Sequence, residues 1–127
     1  MVTDPEVERI AVELAIRYER EHGREPESVE AENRGFDILS RDPASGQARF
    51  IEVKGRAGTA PVALTANEYR TAARLQEDYW LYVAFDCVRQ PRLLTVRDPG
   101  RLGWEPIVVV EHYKVSPDAI EEAAVHE

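Results

Sequence analysis

The amino-acid sequence predicts an α/β (α+β) fold in which helices flank one mixed β-sheet. Two patterns support this prediction. The chain begins with the periodicity of an amphipathic helix, and the continuous apolar run Tyr79–Phe85 is typical of a strand buried on both faces. Because 127 residues are enough to build one hydrophobic core, we expect a single domain over residues 1–127.

The first helix is predicted from apolar side chains that recur three or four positions apart. These side chains are Val7, Ile10, Ala11, Leu14, Ala15 and Tyr18, which share one face of a helix. Thr3 and Glu6 match a Thr-x-x-Glu capping box, in which each residue satisfies a backbone N–H group of the first turn. Gly23 favours helix termination because glycine readily adopts the left-handed conformation found there.

A hairpin is predicted over residues 35–55, after a first strand near residues 28–33. Its first strand covers residues 36–40, and residues 42–46 form a cluster of turn-forming residue types. The second strand of the hairpin covers residues 48–54. Strands joined in this way pair side by side, so side chains from the two strands are expected to meet on one face.

The second half of the chain continues with a helix and further strands. Thr65 and Glu68 match a second capping box at the start of a helix over residues 66–76. The predicted order is αβββαβ, followed by C-terminal strands at residues 92–97 and 107–115 and a short helix that begins at Ser116 and Pro117.

The charge distribution bears on nucleic-acid binding. A formal net charge of −8 argues against a domain that holds nucleic acid by bulk electrostatic attraction. Residues 34–74 differ from the rest, since they carry seven basic and four acidic side chains. Within this stretch, Arg34, Arg56 and Arg70 are candidates for phosphate contacts, and the alternative is that they are solvated surface residues.

Composition also indicates the expected cellular location. No apolar run approaches the roughly 20 residues of a membrane span, and the N-terminal residues lack the basic and apolar regions of a secretory signal. The single cysteine, Cys87, cannot form an internal disulfide bond. We therefore expect a cytoplasmic protein that does not interact with membranes.

The candidate site lies on the predicted hairpin. Glu52 and Lys54 are two residues apart on one strand, so both side chains project from the same face, whereas Ile51 and Val53 face the core. Asp37, on the partner strand, is expected directly or diagonally opposite Glu52. The alternative is an ordinary cross-strand ion pair on a solvated face, which contributes little to stability.

Two converging carboxylates repel each other unless a proton or a cation lies between them. Asp37, Glu52 and the backbone carbonyl of Val53 are therefore candidate ligands for Mg²⁺ or Mn²⁺, with waters and a substrate phosphate completing the shell. Such an ion favours phosphodiester hydrolysis, and Lys54 is a candidate to orient or deprotonate the attacking water. Only Lys54 and Lys114 among the 16 basic residues are lysines, which favours a specific chemical need at position 54, with chance as the alternative.

Four motifs in sequence order strengthen this interpretation. Residues 33–40 (NRGFDILS), 50–55 (FIEVKG), 64–69 (LTANEY) and 79–83 (YWLYV) resemble the NO VEIN C-terminal-like domain family, a family of domains of unknown function. This family is similar to a branch of the PD-(D/E)XK nuclease superfamily. The resemblance covers about residues 5–115 and implies a restriction-endonuclease-like fold.

The resemblance also implies roles for individual residues. The first metal ligand of the superfamily corresponds to Asp37, the second to Glu52 and the catalytic lysine to Lys54. Phe36 stands where many superfamily members have proline. Members often lie at the end of helicase-like or restriction-associated proteins, so we expect the chain to be an excised domain with a helicase-like neighbour.

Other acidic and polar positions have supporting roles under the same resemblance. A glutamate of the first helix contributes in related branches, and Glu8, Glu13 and Glu19 are the candidates, with Glu8 and Glu19 favoured because they border the apolar face. Asn67, Glu68 and Tyr69 open the second helix near the expected site. The alternative is that they form only a capping box and, through Tyr69, an aromatic core contact.

Three hypotheses follow. The first is an Mg²⁺-dependent nuclease domain that acts on DNA within a larger DNA-processing or defence protein. The second is a catalytically inactive module that keeps the nuclease fold and binds DNA or a protein. The third is a structural domain whose apolar strand face docks a neighbour.

Overall fold

The computed structural model describes residues 4–125, so Thr3 of the predicted first capping box lies outside the described residues. The elements are α1 (Asp4–Glu21), β1 (Glu25–Ser28), β2 (Ile38–Arg41), β3 (Ala48–Gly55), α2 (Ala66–Leu75), β4 (Tyr79–Phe85), β5 (Arg92–Arg97) and α3 (Pro117–Ala123). The predicted order αβββαβ is confirmed. None of the helices within residues 4–125 combines the length and the apolar character needed to cross a bilayer.

The five strands form one mixed sheet in the order β1-β2-β3-β4-β5. Strands β3 and β4 are parallel, and the other neighbouring pairs are antiparallel. A parallel connection needs a long crossover, and α2 supplies it between β3 and β4. The mixed sheet of the α+β class is therefore confirmed.

Helices α1 and α2 pack on opposite faces of this sheet. Ile51 and Val53 of β3 pack with α1 in a core cluster that also contains Tyr82. Phe36 and Tyr79 pack with α2 in a second cluster on the other face. Since side chains alternate along β3, Glu52 and Lys54 project toward α2 rather than α1.

The first predicted strand is displaced toward the N-terminus. We expected it near residues 28–33, whereas β1 covers Glu25–Ser28 and is followed by a 3₁₀ turn at Glu30–Glu32. Asn33 then adopts a left-handed backbone with φ of 50°, which ends extended structure. The turn reverses the chain and leads it into β2.

The predicted strand at residues 107–115 is wrong, because this segment has no strand structure and is exposed. The preceding turn, Pro99–Arg101, packs against α2, and Trp104 Nε1 donates a hydrogen bond of 2.8 Å to Pro99 O. The chain is thereby held beside α2 instead of turning back along the open edge of β5. Without a partner strand, the β-branched residues of the segment have no ladder to join.

Candidate functional site

Asp37 is held where β2 begins. Its backbone N–H group donates to Ile51 O at 2.8 Å, and its carbonyl accepts from Val29 N at 2.8 Å. Two residues earlier, Gly35 has a φ of +87° and its carbonyl accepts a hydrogen bond of 2.7 Å from the Tyr79 hydroxyl. The backbone that carries Asp37 is therefore fixed from both sides.

The Asp37 side chain lies over the point where β2 and β3 separate. Their paired register ends at Ile38 and Ile51, and Asp37 Oδ2 then accepts a hydrogen bond of 2.8 Å from Val53 N. The N–H and C=O groups of one strand residue point to the same side of the strand. The Val53 carbonyl, predicted as a metal ligand, thus faces the edge at which Asp37 lies.

Lys54 of β3 contacts two carboxylates, one on its own strand and one on α2. Its Nζ atom lies 2.9 Å from Glu68 Oε1 and 3.3 Å from Glu52 Oε2. The same Glu68 oxygen accepts a hydrogen bond from Thr65 N at 2.9 Å, which confirms the predicted second capping box. Glu68 is therefore part of the site, which we call the carboxylate–lysine cluster: Asp37, Glu52, Lys54 and Glu68.

Electrostatics in this cluster oppose full ionisation. Burial raises the pKa of Glu52 to about 10, and the negative charges of Asp37 and Glu68 add to the effect. Burial also raises the pKa of Asp37 to about 6, against the hydrogen bond from Val53. The buried Glu52 and the half-buried Asp37 thus compete for one proton or one cation at the same place.

Lys54 remains a cation in this environment. Burial disfavours its ammonium group, but the hydrogen bond to Glu68 and the charges of Glu52 and Glu68 outweigh burial and raise the pKa of Lys54. Burial likewise opposes the charge of Glu68, and the Thr65 N–H group and Lys54 outweigh it and lower the pKa of Glu68. Lys54 and Glu68 therefore form an ion pair beside the two raised carboxyl groups.

The donor set suits a hard divalent cation that is held by few protein ligands. Within residues 4–125, no group of three or more histidine, cysteine, aspartate or glutamate side chains is arranged to hold a metal ion. The protein ligands available at the cluster are the carboxylates of Asp37 and Glu52 and the Val53 carbonyl. One or two carboxylates with waters and phosphate oxygens is the pattern that Mg²⁺ adopts.

The predicted phosphate-binding arginines are on the surface. Arg34 pairs with Glu32 at 2.9 Å, and Arg56 and Arg70 are exposed. Asn67 is also exposed, and its carbonyl accepts a hydrogen bond from the Thr71 hydroxyl. Contacts from these side chains to a nucleic acid stay a prediction.

The structure places the favoured α1 glutamates away from the carboxylate–lysine cluster. Glu19 is fully buried, accepts a hydrogen bond of 2.7 Å from the Tyr82 hydroxyl and lies 3.3 Å from Arg24 Nε and 3.6 Å from Arg49 Nη1. Glu8 lies near Cys87, since its charge contributes to the raised pKa of that buried thiol. Both glutamates belong to α1, on the opposite face of β3 from Glu52 and Lys54.

Sequence reasoning missed Tyr79 as part of the site's support. Burial raises the pKa of Tyr79, and the charges of Glu52, Glu68 and Asp37 raise it further, so its hydroxyl remains a proton donor beside the cluster. The available signal was a tyrosine within a wholly apolar run, because a buried hydroxyl needs a hydrogen-bond partner. That partner, the Gly35 carbonyl, is 44 positions away and could not be identified from spacing.

The raised pKa values predict how stability depends on pH. In the unfolded chain Glu52 loses its proton near its ordinary value of 4.5, whereas in the folded protein it keeps the proton up to about pH 10. The folded state binds more protons between these values, so the free energy of unfolding should fall as pH rises through this window. Asp37 adds a similar fall between 3.8 and about 6.

Urea denaturation at a series of pH values without divalent ions tests this prediction. Glu52→Gln should flatten the pH dependence and make the protein more stable than wild type at pH 8. Glu111→Gln, a change at an exposed position, is the matched control and should follow wild type. An unchanged slope in Glu52→Gln would show that Glu52 ionises normally in the folded protein.

The fold and the site define a class of protein: a mixed α/β domain in which three carboxylates and one lysine meet at the point where two strands separate. Residues 7–96 match the family model described as Protein NO VEIN, C-terminal, and the chain belongs to this family. The matched range contains all four residues of the carboxylate–lysine cluster. No curated protein and no solved structure matches the chain.

Proposed function

We propose that the chain is an Mg²⁺-dependent nuclease-like domain that acts on DNA, and that its family is a branch of the PD-(D/E)XK superfamily with the restriction-endonuclease-like fold. One observation carries the proposal: Asp37, Glu52 and Lys54 converge where β2 leaves β3, with Asp37 Oδ2 bonded to Val53 N at 2.8 Å. By the same resemblance, the domain works within a larger DNA-processing or defence protein that includes a helicase-like partner domain.

Asp37, Glu52 and the Val53 carbonyl are the proposed ligands of the Mg²⁺ or Mn²⁺ ion. Burial raises the pKa of both carboxyl groups, and the charge of Asp37 raises the pKa of Glu52 further. A divalent cation between the two groups compensates the negative charge that burial opposes. When bound, such an ion stabilises negative charge on phosphate oxygens and lowers the pKa of a water ligand.

Lys54 acts as a fixed cation in this proposal. Its raised pKa makes it a hydrogen-bond donor rather than a base, and Glu68 holds its Nζ atom at 2.9 Å. Positioned donors that meet developing negative charge give large effects in buried sites. Lys54 therefore orients the attacking water and donates to a phosphate oxygen, while Glu68 positions Lys54.

A second candidate function is a catalytically inactive module of the same fold that binds DNA or a protein. The net charge of −8 favours it, because an isolated nuclease of this size needs a basic groove from itself or from a neighbour. Calorimetric titration with Mg²⁺ separates the two functions. Binding that is lost in Asp37→Asn favours the nuclease, and no binding up to millimolar Mg²⁺ favours the module.

The function itself is tested by incubating the purified chain with linear, nicked and single-stranded DNA. Cleavage is expected with Mg²⁺ or Mn²⁺ and should stop when EDTA removes the ion. Asp42→Asn changes an aspartate of the turn between β2 and β3, outside the cluster, and should cleave like wild type, whereas Asp37→Asn should not cleave. Equal cleavage with and without EDTA would contradict the proposal.

A further inference from the structure

An open groove lies beside the carboxylate–lysine cluster. It has a volume of about 430 Å³ and runs between the start of α2 and the chain that follows the Pro99–Arg101 turn. The residues that line it are Val62, Ala63, Leu64, Thr65, Ala66, Tyr69, Trp104, Glu105, Pro106 and Ile107. Its walls are mostly apolar, which suits a flat, uncharged ligand group.

Two aromatic side chains in the groove, Tyr69 and Trp104, can stack on a flat ligand group. Tyr69 is 44% exposed, although the sequence allowed it to be an ordinary core contact. Trp104 is half-buried, and its hydrogen bond of 2.8 Å to Pro99 O holds the indole in one orientation. Aromatic rings that are already fixed bind flat partners at a low entropy cost.

Two hydrogen bonds to one oxygen atom of Glu68 connect the groove with the cluster. Thr65 lines the groove, and its backbone N–H group donates to Glu68 Oε1 at 2.9 Å. Lys54 Nζ donates to the same oxygen, also at 2.9 Å. A single carboxylate oxygen therefore stands between the wall of the groove and the lysine.

We propose that this groove binds an unpaired nucleobase of the nucleic acid whose phosphate lies at Lys54, so that the preferred substrate is single-stranded or frayed DNA. This inference rests on the proposed function. The charged side chain among the described lining residues is Glu105, so the groove takes a neutral base rather than a phosphate. Bases of any sequence stack on aromatic side chains, which makes the groove selective for strandedness rather than for sequence.

Fluorescence provides a direct test because the chain contains two tryptophans, Trp80 and Trp104. In Trp80→Phe, emission reports on the groove alone. The probe is a DNA duplex with a short single-stranded overhang, titrated in Ca²⁺ so that binding is measured without turnover. We expect the overhang to quench Trp104, and a blunt duplex or an overhang of abasic sites to leave it unchanged.

Affinity provides a second readout that does not depend on Trp80→Phe. Anisotropy of a labelled overhang duplex should show that Tyr69→Ala weakens binding about tenfold, the effect expected for one lost stacking contact. Tyr113→Ala is the matched control, because Tyr113 is 93% exposed and lies outside the groove. It should bind like wild type.

These experiments distinguish failure of the proposed base binding from failure of the proposed nuclease activity. Equal affinity for abasic and base-containing overhangs, without quenching, would show that the groove does not bind a base, even if Lys54-dependent cleavage is present. Quenching without cleavage contradicts the nuclease and leaves the groove as a base-binding site. If Trp104 emission instead follows protein concentration as dimers form in sedimentation, a protein segment fills the groove and the inference is wrong.

Discussion

Lys54→Ala is expected to reduce Mg²⁺-dependent DNA cleavage by about 100-fold or more, because it removes the cation that meets developing negative charge at the phosphate. The fold should persist, since Glu68 keeps its capping hydrogen bonds with Thr65. The rate is measured under single-turnover conditions, with circular dichroism of each variant as the check on folding.

The chain offers a close control for this change. Lys114 is the other lysine and is exposed, so Lys114→Ala should cleave at the wild-type rate. Lys54→Arg retains the charge but replaces the compact ammonium with a planar guanidinium, so it should fold normally and recover only part of the rate. If Lys54→Ala cleaves as fast as Lys114→Ala, Lys54 has no role in the reaction.

Gly35→Ala is expected to lower the free energy of unfolding by roughly 2–4 kcal/mol, from backbone strain and overpacking together. Gly35 has a φ of +87°, which side chains rarely tolerate, and an added Cβ atom would overlap with Oγ1 of Thr71 on α2. Because Asp37 follows two residues later, the displaced backbone should also weaken Mg²⁺ binding.

A substitution at a second glycine distinguishes backbone strain from overpacking. Gly46 has a similar φ of +74° but no atom within 4 Å of the added Cβ, so Gly46→Ala should cost only about 1 kcal/mol of backbone strain. Urea denaturation measures both variants. Equal losses for Gly35→Ala and Gly46→Ala would mean that the approach of Gly35 to Thr71 is not tight.

The central part of the site was predictable because it depends on strand periodicity. Glu52 and Lys54 share a face of β3 for the simple reason that they are two residues apart. The hairpin placed Asp37 near Glu52, although Asp37 lies just before β2 rather than within it. The contact between Lys54 and Glu68 was not predictable, since it depends on how closely α2 packs on β3.

Two predictions depended on which elements pack together, and the structure differs from both. Glu19 was favoured for the site on its helical angle alone, but that angle does not show which face of the sheet α1 covers. In the structure its carboxylate is buried with Tyr82, Arg24 and Arg49. Residues 107–115 have the β-branched composition of a strand, but composition does not show whether the edge of another strand lies beside them.

Anomalous diffraction from crystals grown with Mn²⁺ would show whether a metal ion binds between Asp37 and Glu52. We expect one strong peak bound by both carboxylates and the Val53 carbonyl, with waters in the remaining positions, and no such peak in Asp37→Asn crystals. A map that shows Mn²⁺ only at exposed carboxylates, with none between Asp37 and Glu52, would contradict this expectation.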